Sequence, residues 1–555
     1  MNVNTFLSIS LCFFIPQLAG RKWSFLLEVP TSSPFNRLMA SGDKAPTEKG
    51  IPAEESTFRV HVRRPTPTLG SVLVFNTCDR LSGMLLCCMV VFSPWAFGTS
   101  QAWSVATMNV LGYATGILLA IKWLIRANYH YSAPRWTATG PNWLCPAWAA
   151  LTLLILGYTL LAALNARASY DPLRMEFAFR PHLGWLPHSY DRAKSFQAFA
   201  NYLALACCFW SFRDWFAGKS VREIRIERNS TPDVAPSGYL PDRIRTMLWL
   251  LCLNGALLAI EAIAQRVDGG VKLLWLVETR INREALSQFG PFAYRANAAQ
   301  YFNLVWPLGL ALWWELRRES RRRRESESLS PGWKKALLLT VVCLIAACPV
   351  ISASRLGAVV AIIGILAAMV IAATGLRQRQ AGVKFAIVLF FSTVLALGLY
   401  FGWDQLSKRL ETTETDYGGR EEIYATARQI ARDYPLFGTG PGSFESVFPL
   451  YRSSADQYWP AQLHNDWLET LITYGWLGSV MIGLALLCVL SRWFWPGTIQ
   501  TSWRTAAFIW LALGGCLAHA RFDFPFQVYS ILHLFLLECA LLSLISRRPV
   551  HHPSS

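Results

Sequence analysis

From about Leu81 onward the chain alternates long apolar runs with short, mostly basic connections. Each run holds about 17 to 25 residues, enough for one helix to cross a hydrocarbon core of roughly 30 Å. The runs fall near 82–98, 104–125, 143–164, 196–212, 244–265, 299–315, 335–351, 355–374, 383–402, 466–491, 504–519 and 525–546. This pattern predicts an all-α polytopic membrane protein of about 12 transmembrane helices. One polar stretch is too long to be a simple connection. Residues 403–463, between the expected spans nine and ten, contain no run able to cross a bilayer. The expected division is therefore an N-terminal extension at 1–80, spans one to nine at 81–402, the large loop at 403–463, spans ten to twelve at 464–546 and a tail at 547–555.

The extension resembles nothing that follows it. Phe6 to Ala19 is apolar but short, contains Pro16 and lacks the basic flank of a secretory signal. Ser41 to Pro65 is rich in charge, Pro, Ser and Thr and cannot bury enough apolar surface to fold alone. A poorly ordered tail, or a start placed upstream of the working protein, is the expected reading; a cleaved signal competes with it.

Composition agrees with the periodicity: 53% of residues are hydrophobic and only 16% charged, too apolar for a set of soluble domains. The formal charge of +17 would suit nucleic acid or acidic lipid as a partner, but the basic residues sit mostly in connections, where they orient helices. No nucleic-acid partner is expected. Arg213, Lys219, Arg222, Arg225, Arg228, Arg243 and Arg245 crowd the fourth connection, and Arg317, Arg318 and Arg321 to Arg324 the sixth. By the positive-inside rule these connections and both termini are cytoplasmic, which turns the 403–463 loop outward. The thirteen cysteines fall almost wholly in apolar runs, so no disulfide framework is expected.

Two outward connections break the charge rule. The third carries Arg167, Arg174, Arg180, Arg192 and Lys194, and the fifth Arg266, Lys272, Arg280, Arg283 and Arg295. Cations that topology does not require can serve an anionic ligand outside the membrane; pairing with local acids or lipid phosphate is the equally weighted alternative.

In the large loop, Gly418-Gly419-Arg420-Glu421-Glu422 opens a helical pattern with Ile423, Tyr424, Ala427, Ile430 and Tyr434 near a 3.6 period, and Pro435 ends it. Arg420 is a cation at the positive end of that helix, a placement that an anion would relieve. Gly438-Thr439-Gly440-Pro441-Gly442 only superficially imitates a phosphate loop, since no strand precedes it and no Lys-Ser/Thr pair follows; a turn that lets backbone pass close to a neighbour is the better reading. His464-Asn465-Asp466 stands where the loop re-enters an apolar helix. Its plain account is an N-cap by Asn465 or Asp466 with an interfacial histidine. Arg355, in Ser352-Ala353-Ser354-Arg355-Leu356-Gly357, interrupts an apolar stretch, where an arginine faces a cavity or snorkels to headgroups.

These landmarks in this order, namely Ser354-Arg355-Leu356-Gly357, Gly419-Arg420, Pro435 with Gly438, Gly440, Gly442 and Phe444, and His464-Asn465-Asp466-Trp467-Leu468 with Gly475 and Gly478, resemble the O-antigen ligase and polymerase family. Phe289-Gly290-Pro291-Phe292-Ala293-Tyr294-Arg295-Ala296-Asn297 looks like a further family segment. The first 80 residues and the long basic third connection depart from it. The resemblance implies a GT-C-like enzyme of the bacterial cytoplasmic (inner) membrane, acting on its extracytoplasmic face. It would move a glycan from a polyprenyl pyrophosphate lipid, undecaprenyl pyrophosphate in the family, to an acceptor hydroxyl on a glycan or lipid, as in lipopolysaccharide assembly. No cofactor, metal or ATP is expected, since the donor carries its own energy.

The residues suit that chemistry. Arg420, Arg355 and Arg295 can neutralise the charge developing on a pyrophosphate leaving group, and His464 can take the acceptor proton. Asp466 or Glu469 would orient its ring, a choice the spacing leaves open. The expected catalytic residues are His464, Arg420 and Arg355. The expected substrate-binding residues are Arg295, Asn297, Asn465, Gly440, Tyr451 and Arg521, with His519 and Asp523 beside them either joining the pocket or binding each other. No Asp-x-Asp pair or metal-binding histidine cluster appears, which disfavours a soluble nucleotide-sugar donor. The alternatives are a repeat-unit polymerase of the same family and, in another class, a lipid-linked sugar transporter or flippase. The transporter would show paired internal repeats with broken helices, and none is found.

Overall fold

The computed structural model describes residues 68–129, 131–136, 143–229, 240–279, 283–324, 332–374, 385, 388–394, 396–398, 400–401, 406–407, 413–452, 461–494 and 499–546. The N-terminal helices are α1 (Leu69–Trp95), α2 (Ala102–Tyr129), α3 (Leu144–Leu164), α4 (Arg192–Ala217), the short α5 (Val221–Asn229) and α6 (Asp242–Asp268). They are followed by α7 (Arg295–Arg324), α8 (Gly332–Ile351) and α9 (Arg355–Ala373). The large loop contains α10 (Thr413–Asp433) and the single turn α11 (Phe444–Val447). Next come α12 (Asp466–Leu490), α13 (Trp503–His519) and α14 (Tyr529–Leu542).

Local chemistry sets the helix ends. Thr68, Asp191, Ser354 and Asn465 each accept a first-turn amide as N-caps of α1, α4, α9 and α12. Gly269, at φ 71°, ends α6 in the left-handed conformation that glycine adopts without strain.

Seven of the described helices are long and apolar enough to cross a membrane: α1, α2, α3, α6, α8, α9 and α12. The lateral distribution of side chains fits a lipid surround. On α9 the small residues Gly357, Ala358, Ala361, Gly364 and Ala368 are buried, while Val359, Ile362, Ile363, Leu366 and Val370 are exposed. Small residues inside and bulky apolar ones outside is how helices pack when the solvent is hydrocarbon. The protein is thus a multi-pass, helical membrane protein.

The remaining expected spans are helical but individually marginal. α13 and α14 have 17 and 14 residues, rising roughly 25 and 21 Å against a hydrocarbon core of about 30 Å. The expected run at 525–546 is shortened because Pro525–Gln527 forms a separate 3₁₀ turn before α14. α4 and α7 carry charged ends. Within the expected ninth span at 383–402, the described residues 385, 388–394, 396–398 and 400–401 are helical; residues 1–67 and the tail at 547–555 lie outside the described residues. α1 begins at Leu69, so the boundary expected at residue 80 falls inside a helix.

Three short strand pairs accompany the helices of this all-α bundle. Two antiparallel pairs, β1–β2 (Ala168–Asp171 with Glu176–Phe179) and β3–β4 (Lys272–Leu273 with Val277–Glu278), stand in the third and fifth connections; a parallel pair, β5–β6, joins Ile499–Gln500 to Ile545–Ser546. These segments lie outside the helices, so their backbone groups are satisfied by pairing with one another.

At the centre, α7 packs against α6, α8, α9, α13 and α14 and buries Tyr301, Phe302 and Trp306. A second, smaller core lies under the large loop. Tyr424, Ala427 and Ile430 of α10 close over Phe444, Val447 and Phe448, together with Tyr190, Leu463 and Ile472. The large loop is therefore a folded cap on one end of the bundle, held by its own apolar cluster.

Candidate functional site

The cap is locked to α12 by a crossing of two backbones. α12 is interrupted at Gly475 (φ 60°, ψ −171°), so the amides of Trp476 and Leu477 turn outward and donate to the carbonyls of Pro435 and Leu436 at 2.8 and 3.2 Å. In return, Thr439 and Gly440 donate to the carbonyls of Ile472 and Thr473 at 2.8 and 3.0 Å. A Cβ on Gly475 would meet the Leu436 carbonyl oxygen at 2.3 Å, and one on Gly438 the Ile472 oxygen at 2.5 Å. Gly440, at φ 107°, lies against Ser189, leaving no room for a side chain. The glycine series thus serves close backbone approach.

This crossing sets where His464 sits. Leu463 donates its amide to Glu469 Oε2 at 2.8 Å, the Asn465 side chain accepts from the Leu468 amide at 3.1 Å, and the Asp466 amide donates to the carbonyls of Ala520 and Asp523. Between these anchors His464 is held at φ 57°, and its carbonyl accepts from the Tyr424 hydroxyl at 2.8 Å. A left-handed backbone at a non-glycine residue costs about 1–3 kcal/mol and persists only where the surroundings over-determine it. The result is a ring aimed at the α13–α14 loop. His464 Nδ1 lies 3.0 Å from Asp523 Oδ1, and the ring meets Phe524 and Tyr294 edge-on at 4.7 and 5.9 Å.

Asp523 is the centre of this cluster. Besides His464, its Oδ1 accepts the Phe524 amide at 3.1 Å, and its Oδ2 accepts the Tyr294 hydroxyl at 3.2 Å and lies 3.9 Å from His519 Nε2. Burial pushes this carboxyl up, but the hydrogen bond with His464 and the electrostatic influence of His519 outweigh it and hold it well below the usual carboxylate range. It is therefore ionised at neutral pH. Since a carboxylate only accepts hydrogen bonds, the geometry assigns the His464 proton to Nδ1. In the neutral ring Nε2 then carries the lone pair, and the side chain is 26% exposed, open to a ligand.

Arg420 lies in the same group, in the middle of α10. Its Nη1 donates to the Phe522 carbonyl at 3.0 Å. Burial works against its charge, but Tyr294 and Asp523 nearby outweigh burial and keep its pKa above the ordinary arginine value. α10 begins at Thr413, so Arg420 is seven residues from the helix start, and the expected pairing with N-terminal amides is corrected. Its partners come instead from the α13–α14 loop.

The expected orienters of the ring are also corrected. Asp466 Oδ2 accepts the Phe526 amide at 2.8 Å and Glu469 accepts that of Leu463; both stitch the loops together, while Asp523 orients the imidazole. Asp523 is far off in sequence, and its only advance signal was its presence with His519 and Arg521 in one polar break between apolar runs.

The other expected residues take other places. Arg521 is exposed beside the cluster, its guanidinium over the Phe522 ring. Arg355 opens α9 after a turn in which Ala353 has φ 57°; Arg266 steadies that turn by donating to the Ser352 carbonyl, while also bonding the Gln288 carbonyl of the segment leading to Tyr294. Arg295 is buried and donates to the Leu286 carbonyl at 2.6 Å, and Asn297 is buried with its Oδ1 unsatisfied. Tyr451 packs on the small core of the cap, and Asn465 is the N-cap of α12.

Several cations of the third and fifth connections have local partners. Arg167 donates to the Tyr190 hydroxyl, Lys194 pairs with Glu445 at 3.2 Å and Lys272 with Glu278 at 3.6 Å. For these the local-pairing alternative holds.

Residues 339–483 match a family described as O-antigen ligase. The stretch contains Arg355, Arg420 and His464 and ends short of Asp523. No curated protein matches the chain.

Proposed function

We propose that this chain, which belongs to the O-antigen ligase family over residues 339–483, is a glycosyltransferase of the ligase type. It moves a glycan from a polyprenyl pyrophosphate lipid to an acceptor hydroxyl at the extracytoplasmic face of the bacterial inner membrane. In this reading the marginal helices α4, α7, α13 and α14 cross the bilayer together with the seven long ones, both termini are cytoplasmic, and the cap faces outward.

The observation that carries the proposal is the His464–Asp523 pair beside Arg420. With Asp523 fixing the Nδ1 proton, His464 Nε2 accepts the proton of the acceptor hydroxyl as its oxygen bonds the anomeric carbon. The bond from that carbon to the pyrophosphate oxygen breaks, and the lipid pyrophosphate departs with the electron pair. Arg420, charged and half-buried, offsets the growing negative charge, a kind of electrostatic help commonly worth a few kcal/mol of barrier. Arg355 and Arg521 are placed in this reading as further cations for the donor, and Asn297, with a free amide oxygen, as a polar contact for sugar.

The test is deletion of the gene followed by restoration with wild type, His464→Ala or Asp523→Asn. Surface glycan and the lipid-linked precursor pool are the readouts. Loss of attached glycan with accumulated long lipid-linked chains in both variants is the expected result, with transfer reduced by at least about a hundredfold. Accumulated single repeat units would instead identify a polymerase. Full rescue by His464→Ala would sink the catalytic assignment and favour transport.

A further inference from the structure

The Phe289–Asn297 segment, singled out in the sequence, places one side chain where the mechanism has left a problem. Arg420 and Asp523 carry opposite charges in one partly buried cluster, yet among the described residues the ion pairs of Asp523 are with His464 and His519. Direct closure of Arg420 onto Asp523 would disable both groups. The guanidinium would lose its capacity for an anionic donor, and the carboxylate would turn from the imidazole.

Tyr294 stands between them. Its hydroxyl donates to Asp523 Oδ2 at 3.2 Å, and the charge of the nearby Arg420 guanidinium is stabilised by both Tyr294 and Asp523. One phenol can donate to a carboxylate and accept from a guanidinium at once. The ring is fixed by near-parallel stacking on Phe524, with centroids 5.4 Å apart and planes 9° apart, and by its edge-on contact with His464. Phe524 follows Asp523 directly, and Arg420 is tied to the carbonyl of Phe522, which precedes it. Stack and tie together hold the phenol, the guanidinium and the carboxylate in one register.

We propose that Tyr294 is a positioning residue that keeps Arg420 and Asp523 apart, leaving the guanidinium free to bind the pyrophosphate of the donor and the carboxylate free to hold His464; this rests on the glycosyl-transfer reading above. Tyr294→Phe keeps the ring and its stacking but removes the oxygen. Arg420 then closes on Asp523, and anion binding must break that pair first.

The test measures binding of inorganic pyrophosphate to the full-length, detergent-solubilised protein by titration calorimetry. Wild type binds and Arg420→Ala does not. Tyr294→Phe binds about tenfold more weakly, the scale of one hydrogen bond to a charged group. In an Asp523→Asn background, where Arg420 has no carboxylate to close on, Tyr294→Phe has almost no effect. Wild-type affinity in Tyr294→Phe overturns the inference, as does an equal loss in both backgrounds, which would mark the phenol as merely structural. Unchanged binding by Arg420→Ala overturns the underlying donor-site reading instead, so the two failures are distinguishable.

Discussion

The two ends of the bundle commit their basic groups in different ways. α4 runs from the cap, where the Ser195 hydroxyl donates to the Pro441 carbonyl, to the far end, where Asp214 receives three cations: Lys122 at 2.7 Å, Arg126 at 2.7 Å and Arg135 at 2.6 Å. Asp79 adds a second acid there, bonded to Lys122 at 3.2 Å and to Arg243 at 2.6 Å. Lys122 is fully buried. At the cap end the buried carboxylate of Asp523 faces two histidines and a tyrosine, and the nearby arginine is tied to a backbone carbonyl. The far end spends its cations on permanent partners and fixes structure. The cap end keeps an imidazole and a guanidinium in groups that a ligand can re-arrange.

The largest expected effect comes from breaking the far end. Asp214→Ala leaves Lys122, Arg126 and Arg135 without their shared counter-ion in a buried setting. Removing one partner of a buried ionic group commonly destabilises by about 3–5 kcal/mol. The expected outcome is a sharp drop in folded protein recovered from membranes and in its thermal midpoint. If Asp214→Ala folds normally yet loses transfer, the structural role assigned to that end is wrong.

A smaller effect is expected at the crossing that supports the cap. Gly475→Ala adds a methyl 2.3 Å from the Leu436 carbonyl oxygen, at a φ of 60° that alanine rarely adopts. Conformational strain alone is worth about 1–3 kcal/mol, and the cap must also shift. Limited proteolysis should show cleavage between α10 and α12 well before the bundle melts, with transfer lost alongside. Uniform loosening of the whole chain would contradict the picture of a cap held separately.

Much of the fold could be read from hydropathy because helices in lipid must satisfy their own backbone and so need continuous apolar runs. The runs at 104–125, 143–164, 244–265 and 355–374 reappear as α2, α3, α6 and α9 within a few residues of their expected ends. His464 and Arg420 were legible for a different reason: a cation and an imidazole stand in a polar stretch between spans, where burial does not demand them. Asp523 was visible only as one polar residue among several, since its pairing with His464 spans 59 residues and depends on the start of α12 meeting the end of α13, where the Asp466 amide donates to the Ala520 and Asp523 carbonyls. Asp466 and Glu469, close in sequence to His464, misled because a helix start draws its first-turn acids into loop amides. Tyr294 stood in the Phe289–Asn297 segment without a role of its own, and its hydroxyl gains meaning only from the stack on Phe524 and the bond to Asp523.

The smallest effect concerns the pH dependence of stability at the cap end. The folded-state pKa of Asp523 lies below its unfolded value because its histidine partners favour the charged form more than burial opposes it. A group of this kind contributes stability that is fully present above the unfolded carboxylate pKa of about 4. The contribution is lost as pH falls toward the depressed folded value, because the unfolded chain takes up the proton first. Asp523→Asn cannot titrate. Melting midpoints of wild type and Asp523→Asn should therefore converge as the pH is lowered below about 4, the wild type falling faster by up to one proton's worth, roughly 1.4 kcal/mol per pH unit. Divergence with acidification, the wild type gaining on the variant, would mean that Asp523 folds in its protonated form. A protonated Asp523 could donate to His464 Nδ1, which would reverse the tautomer and leave Nε2 carrying the proton, unable to act as the base. The same melting curves thus decide whether the imidazole is set up to accept a proton from the acceptor.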